Sequence, residues 1–196
     1  MKEKIDLSST TNTTNGYVLV DDLIQTRNSG EIIHVQSVLD DTECLVAMDT
    51  LPFEENTRNL DVGGGKFDTA TEHVKYFYKV ENFVYDPYNR SVEHNEIVLN
   101  NVKQQPVDTV TSLSVLNVIL DKQEREDHLN LVYHSLKPGG YAFFKVWRGN
   151  STGIPSVTQS NKDARSYLQE VQNVFGEDNV SIPDDDIGNT IFAKRL

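Results

Sequence analysis

The spacing of apolar positions divides this chain into a β-patterned first part and a longer second part in which strand and helix signatures alternate. Tyr17–Val20, Glu31–Val35 and Leu45–Met48 are short apolar runs, separated by the turn-formers Asn28-Ser29-Gly30 and Asp40-Asp41. They predict a β-rich N-terminal appendage over 17–57. Residues 1–16 are polar and rich in Ser, Thr and Asn, which predicts a disordered tail. From Asn59 the rhythm changes. Asn59-Leu60-Asp61-Val62 reads as a strand running into Gly63-Gly64-Gly65, followed by a helix with Ala70, Val74 and Phe77 on one face. Phe83-Val84-Tyr85 is a second strand closed by Asp86-Pro87. Ser91 is placed to N-cap a helix reaching about Asn101. Val107–Leu113 is β-branched and strand-like. Asp121 and Glu124 have capping-box spacing and open a helix with the stripe Leu129, Val132 and Leu136, ended by Pro138-Gly139-Gly140. Tyr141–Trp147 is a strong strand, and Gly149–Asn161 a loop. Ala164, Leu168, Val171 and Phe175 mark a last helix ending at Gly176. Val180–Ile182 and Thr190–Ala193 predict a closing antiparallel pair.

Such alternation is the mark of an α/β sheet with crossover helices, here over 58–196. With 196 residues the chain holds one ordinary domain and a short appendage. Its single cysteine, Cys44, rules out a disulfide within the chain and points to a reducing compartment. Cys44 adjoins an apolar run with no basic neighbour, which reads as a small core residue and not a reactive thiol. No stretch approaches the roughly 20 apolar residues that cross a membrane, and the N-terminus lacks the apolar centre of a signal peptide. A cytoplasmic protein without membrane contact is expected.

Charge narrows the partners. The formal net charge is −12, whereas unaided nucleic-acid binding draws much of its affinity from basic groups on phosphate. A protein, a small molecule, or nucleic acid presented by another subunit fits this balance better.

The sharpest chemical signal is Asp61-Val62-Gly63-Gly64-Gly65. A strand that ends in glycines and opens a helix lets backbone approach a ligand closely, although a tight strand–helix turn alone would look the same. Asp86 ends the next strand about 25 residues beyond Asp61, near the spacing at which nucleotide-binding sheets place a ribose-binding carboxylate. As a turn-former before Pro87 it also has a purely structural reading.

Four segments in order resemble the class I S-adenosylmethionine-dependent methyltransferases. Leu60–Gly65 is similar to their first motif, with Phe67 at the third alternating position in place of glycine. Val84-Tyr85-Asp86 is similar to their ribose-binding strand end. Asp108–Val118 resembles their fourth strand and the loop facing the methyl group, and Leu136–Gly140 their helix-end motif. The resemblance implies a Rossmann-like methyltransferase fold, a mostly parallel sheet with a C-terminal antiparallel strand. It implies S-adenosylmethionine as cofactor and methyl transfer to an unidentified acceptor. Asp61 would organise the loop and hold the amino end of the cofactor. Gly63, Gly64 and Gly65 would admit its amino-acid portion and sugar, and Asp86 its ribose hydroxyls. Pro87 or Tyr88 would border the adenine, and Ser112 and Leu113 the methionine end. Tyr85–Ser91, Glu93-His94-Asn95 and Val115–Ile119 are also similar to methyltransferases associated with DNA phosphorothioation. One departure matters: about 20 residues separate Asp86 from Val107, room for one helix, so the family's third strand is expected to be absent or vestigial. Asn101 or Gln104 would then have to supply any adenine contact made after that strand.

Other chemistry is weaker. Asp86-Pro87-Tyr88-Asn89 lacks the second proline of the Asp-Pro-Pro-Tyr motif of amino-methylating DNA enzymes. His94 is read as a solvated or capping residue, or else a base. Asn117 is a turn or core residue, or borders the acceptor. Asp184–Asp186 lacks partners at metal-ligand spacing, and Trp147, Phe143 and Phe144 read as core. No catalytic base stands out, and methyl transfer does not require one when the acceptor is aligned. Two further readings stay open: an inactive methyltransferase-like scaffold or partner subunit, and another reaction on the same cofactor.

Overall fold

The computed structural model describes residues 51–147, 162–183 and 189–196, together with Met48 and four short strands nearer the N-terminus. The chain divides into two compact units, 1–50 and 51–196. In the first, Thr13–Thr14 pairs antiparallel with Tyr17–Val18, and Leu23–Gln25 with Ile32–His34. Of the run Leu45–Met48 only Met48 is described, and it is helical. Cys44, most of the expected tail, the Gly149–Asn161 loop and Asp184–Asp186 lie outside the described residues. Residues 51–57 group with the second unit: the Asn56 amide donates to the Lys79 carbonyl and the Glu81 amide to the Thr57 carbonyl.

The second unit is built on one six-stranded sheet. In chain order its strands are β1 (Arg58–Val62), β2 (Glu81–Tyr85), β3 (Val107–Leu113), β4 (Leu136–Lys145), β5 (Val180–Ser181) and β6 (Thr190–Lys194). Their spatial order is β2-β1-β3-β4-β6-β5. β1 pairs in parallel with β2 and β3, and β3 with β4, whereas β6 runs antiparallel to β4 and β5. Among the described residues, four α-helices connect them: α1 (Thr69–Phe77), α2 (Val92–Gln104), α3 (Lys122–Ser135) and α4 (Leu168–Phe175). Residues 86–106 contain α2 and no strand, so the third strand is absent, as its spacing predicts.

The main core lies on one face of the sheet. Leu60, Val62 and Val110 meet Val98 and Val102 of α2, Leu129 and Val132 of α3, and Val171 and Phe175 of α4. The alternation of β1 sends Asn59 and Asp61 to the other face, where a buried polar ladder forms. Thr109 Oγ1 donates to Asn59 Oδ1 at 2.8 Å, Asn59 Nδ2 donates to Asn82 Oδ1 at 2.7 Å, and Thr111 Oγ1 donates to Asp61 Oδ1 at 2.8 Å. Low local dielectric strengthens such bonds and penalises any atom left out of them.

Two sequence expectations shift. Phe77 is exposed; His73 takes the inward position with Ala70 and Val74, and Phe77 stacks on it at 4.7 Å between ring centroids. Leu136 ends the apolar stripe of α3 only in sequence. α3 stops at Ser135 and β4 already begins at Leu136, because Pro138 disfavours helix in the residue before it.

The missing strand leaves β2 at the sheet edge, and α2 covers it. Asn95, buried, accepts from the Asp86 amide through Oδ1 at 3.0 Å and donates to the Asp86 carbonyl through Nδ2 at 2.9 Å. His94 Nε2 donates to the Val84 carbonyl at 2.8 Å. Side chains of the first helical turn thus stand in for a neighbouring strand, which resolves His94 as an edge-capping residue. Asn95→Ala would leave the buried Asp86 amide without this partner and the Asp86 carbonyl with the Arg90 amide alone, and should cost about 1–3 kcal/mol. Urea denaturation with an unchanged slope would show it; a loss below about 0.5 kcal/mol would contradict this role.

Candidate functional site

In an open α/β sheet, ligands bind beyond the carboxyl ends of the strands where the strand order reverses. Here that point lies between β1 and β3, and a cleft of about 630 Å³ opens there. Its size suits a small-molecule ligand. Val62 and Gly63 line it from the end of β1, Tyr85 to Asn89 from the end of β2, and Leu113 to Val115 from the end of β3. Glu124, Asp127, His128 and Leu131 close it from α3.

The glycine turn is shaped by close approach. Gly63 has φ +82° and continues the ladder by donating to the Tyr85 carbonyl at 2.8 Å. A Cβ there would sit 2.5 Å from Val115 Cγ2. A Cβ on Gly64 would collide with the Asp61 carboxylate. Gly65 has φ +75° and donates its amide to Asp86 Oδ2 at 3.0 Å. Arg90 clamps the same turn, donating to the carbonyls of Gly65 at 2.7 Å and Phe67 at 2.8 Å and pairing with Asp68.

Asp86 is the hub of this corner. Oδ1 accepts from the amides of Tyr88 at 2.9 Å and Asn89 at 3.0 Å; Oδ2 accepts from Gly65 and from Asn89 Nδ2 at 3.1 Å. Four donors meet a group with about four acceptor sites. Asp86 ties the loop after β2 to the glycine turn, as its turn-forming reading requires, and it also lines the cleft.

Asp61 lies behind the turn, fully buried. Its Oδ1 is bonded to Thr111, but Oδ2 is a buried acceptor without a hydrogen bond. Burial, opposed by the Thr111 bond and reinforced by the Asp86 charge, pushes its carboxyl from the ordinary 3.8 up to about 6.

The opposite wall carries a second buried pair. Ser112 Oγ and His128 Nε2 are hydrogen-bonded at 2.9 Å, and the His128 ring lies against Phe144. Burial lowers the His128 pKa from 6.5 to about 4, so the ring is neutral at pH 7. Glu124 and Asp127, both exposed, stand on the same helix face. Among the described residues, no lysine or arginine lines the cleft.

Of the positions singled out from sequence, Gly63, Asp86, Pro87, Tyr88 and Leu113 line the cleft, whereas Asp61, Gly64, Gly65 and Ser112 are not among its lining residues. Asn101 and Gln104 are drawn elsewhere: the Asn101 side chain accepts from Arg58, and neither residue borders the cleft. Asn117 is buried and outside the lining. Sequence reading missed His128, Asn89 and Arg90. The signal for His128 was present, since 124, 127, 128 and 131 fall on one face of a helix, but attention to the apolar stripe hides a mixed one beside it.

The sequence matches no family model and no curated protein. Solved structures do share the architecture. The S-adenosylmethionine-dependent methyltransferase SibL is 14% identical, with a TM-score of 0.51 over 82% of this chain and 56% of its own. A chain in the complex between the Haloferax volcanii Trm112 methyltransferase activator and a methyltransferase is also 14% identical, with a TM-score of 0.51 over 81% and 92%. The release-factor-specific protein-(glutamine-N5) methyltransferase of Alicyclobacillus acidocaldarius is 15% identical, with a TM-score of 0.50 over 79% and 91%. This chain spans little more than half the length of SibL. The likeness is one of fold, and the second unit has the Rossmann-like α/β fold of the class I S-adenosylmethionine-dependent methyltransferases.

Proposed function

We propose that this protein binds S-adenosylmethionine in the cleft and transfers its methyl group to an acceptor. The observation that carries this reading is the convergence on one corner of a glycine turn with no room for a side chain at Gly63 or Gly64, the Asp86 hub and the orphaned Asp61 Oδ2. These groups fit the cofactor. Its positive charges suit the corner where Asp61 and Asp86 converge, and it carries no phosphate for a cation to neutralise.

In this assignment Gly63, Gly64 and Gly65 admit the amino-acid portion and sugar by backbone approach, and buried Asp61 attracts the ammonium end. Asp86 accepts the ribose hydroxyls. Three of its four present donors are backbone amides; the Asn89 carboxamide is the side-chain contact that a hydroxyl can replace. Pro87 and exposed Tyr88 border the adenine, and Leu113, backed by Ser112, borders the methionine end. The bound cofactor supplies a methyl group already activated by positively charged sulfur. The protein contributes alignment and exclusion of water by Val115, Val118, Ile119 and Leu131. The likeness of Tyr85–Ser91 to methyltransferases of DNA phosphorothioation systems extends this reading to that sub-family, with any nucleic acid presented by another subunit.

A scaffold or partner-dependent subunit is the second reading, favoured by the internal saturation of Asp86. One structural neighbour comes from a complex with an activator. Calorimetric titration with S-adenosylmethionine and S-adenosylhomocysteine separates the two. Micromolar binding is the expected result. No heat at millimolar ligand would reject the stand-alone enzyme.

A further inference from the structure

Within the cleft, the residues left over by the cofactor assignment form one wall of a particular chemistry. His128 is nine-tenths buried, is held through Nε2 by Ser112 Oγ, and has its ring in the cleft wall. With Nε2 engaged, Nδ1 is the nitrogen left for a ligand. Val115, Val118, Ile119 and Leu131 line the same cleft with apolar side chains. Toward solvent on the same face of α3 stand Glu124 and Asp127. The carboxylate of Asp127 accepts from Gln123 Nε2 at 3.2 Å, and the Glu124 side chain lies within the first turn capped by Asp121. Among the described residues the lining holds no lysine or arginine that would neutralise an anion.

We infer that this wall is the acceptor subsite and that it takes a small organic amine with an apolar body, which the protein methylates on nitrogen. The inference rests on the cofactor assignment above. The apolar side chains hold the body of the acceptor. Glu124 and Asp127 favour the cationic head during entry and disfavour carboxylates and phosphates. The ammonium loses a proton to solvent before reaction. In the tautomer that donates Nε2–H to Ser112 Oγ, His128 then accepts a hydrogen bond from the remaining N–H at Nδ1 and directs the lone pair. That pair forms the N–C bond as the C–S bond breaks with its electrons passing to sulfur, giving a neutral thioether. The product leaves as the methylated ammonium, so no base is needed in the transfer step. A hydroxyl acceptor has to surrender a proton, and the buried imidazole, held neutral, serves poorly for that.

The test uses the full-length protein saturated with S-adenosylhomocysteine and three probes that share a phenyl body. Phenethylamine carries an ammonium head, 2-phenylethanol a hydroxyl and 3-phenylpropionate a carboxylate. Calorimetry or ligand-observed NMR should rank the amine about tenfold tighter than the carboxylate, with the alcohol between them. The double variant Glu124→Gln/Asp127→Asn should compress that ratio to about threefold or less while its S-adenosylhomocysteine affinity stays unchanged. Equal or tighter binding of the carboxylate or the alcohol would overturn the inference, as would failure of the amine to bind a protein that does bind S-adenosylhomocysteine. If S-adenosylhomocysteine itself fails to bind, the cofactor assignment falls and this inference falls with it.

Discussion

Asp86→Ala should abolish measurable cofactor binding, a loss of at least about 100-fold, and lower stability by about 2–4 kcal/mol. Both effects have one source. The carboxylate accepts from the amides of Gly65, Tyr88 and Asn89 and from the Asn89 side chain. Removing it detaches the loop after β2 from the glycine turn and deletes the ribose acceptor together. Because a disordered loop would also lose ligand, Asn89→Ala is the necessary companion. That change removes one side-chain donor and leaves the three amides in place. It should alter stability by less than about 1 kcal/mol and leave affinity equal or higher, since a hydroxyl no longer competes for Oδ2. If Asn89→Ala weakened binding as much as Asp86→Ala, the carboxylate would be a loop tie and not a ligand group.

Asp61→Asn should make the protein more stable at pH 7 while weakening its hold on the cofactor. Because the folded state raises this carboxyl from 3.8 to about 6, native protein binds more protons than unfolded chain between those values. Stability from this group is therefore greatest below pH 4, is lost as pH rises to about 6, and stays lost above. Neutralising it should recover on the order of 3 kcal/mol at pH 7, with Asn Oδ1 able to keep the Thr111 bond. His128 acts with the opposite sign. Its pKa falls from 6.5 to about 4 on folding, so its contribution is present above pH 6.5 and is lost as pH falls toward 4. In the wild type the two largely offset one another between pH 4 and 6. In Asp61→Asn the His128 slope stands alone, and stability should climb with pH from 4 to 6.5. Denaturation across that range checks the sign. A stabilised variant with unweakened S-adenosylhomocysteine binding would show that the buried carboxylate has no part in the site. The combination expected is the usual signature of a functional group kept at a cost to folding.

Much of the fold was legible because its signals are local. Ser91 and Asp121 cap their helices as spacing predicts, accepting from the amides of His94 and Glu124. The strand ends that place Gly63, Asp86 and Leu113 come from apolar runs stopped by turn-formers, and the strand missing after Asp86 follows from chain length alone. Leu136 is misplaced by sequence because apolar periodicity continues past the point where the backbone stops being helical, and Phe77, still within α1, because the buried face of that helix runs through His73 and not through 77.

The sequence by itself determined the order of elements, the glycine turn at a strand end and a carboxylate at the next, since each depends on neighbours within a few residues. Only the tertiary structure decided what those groups do to one another. Asp86 and Gly65 meet because parallel pairing sets β1 beside β2. Asn95 replaces a strand because α2 folds back on the sheet edge. Asp61 and His128 acquire displaced pKa values because packing removes water from both. Burial and long-range pairing depend on residues far apart in the chain, and no local pattern encodes them.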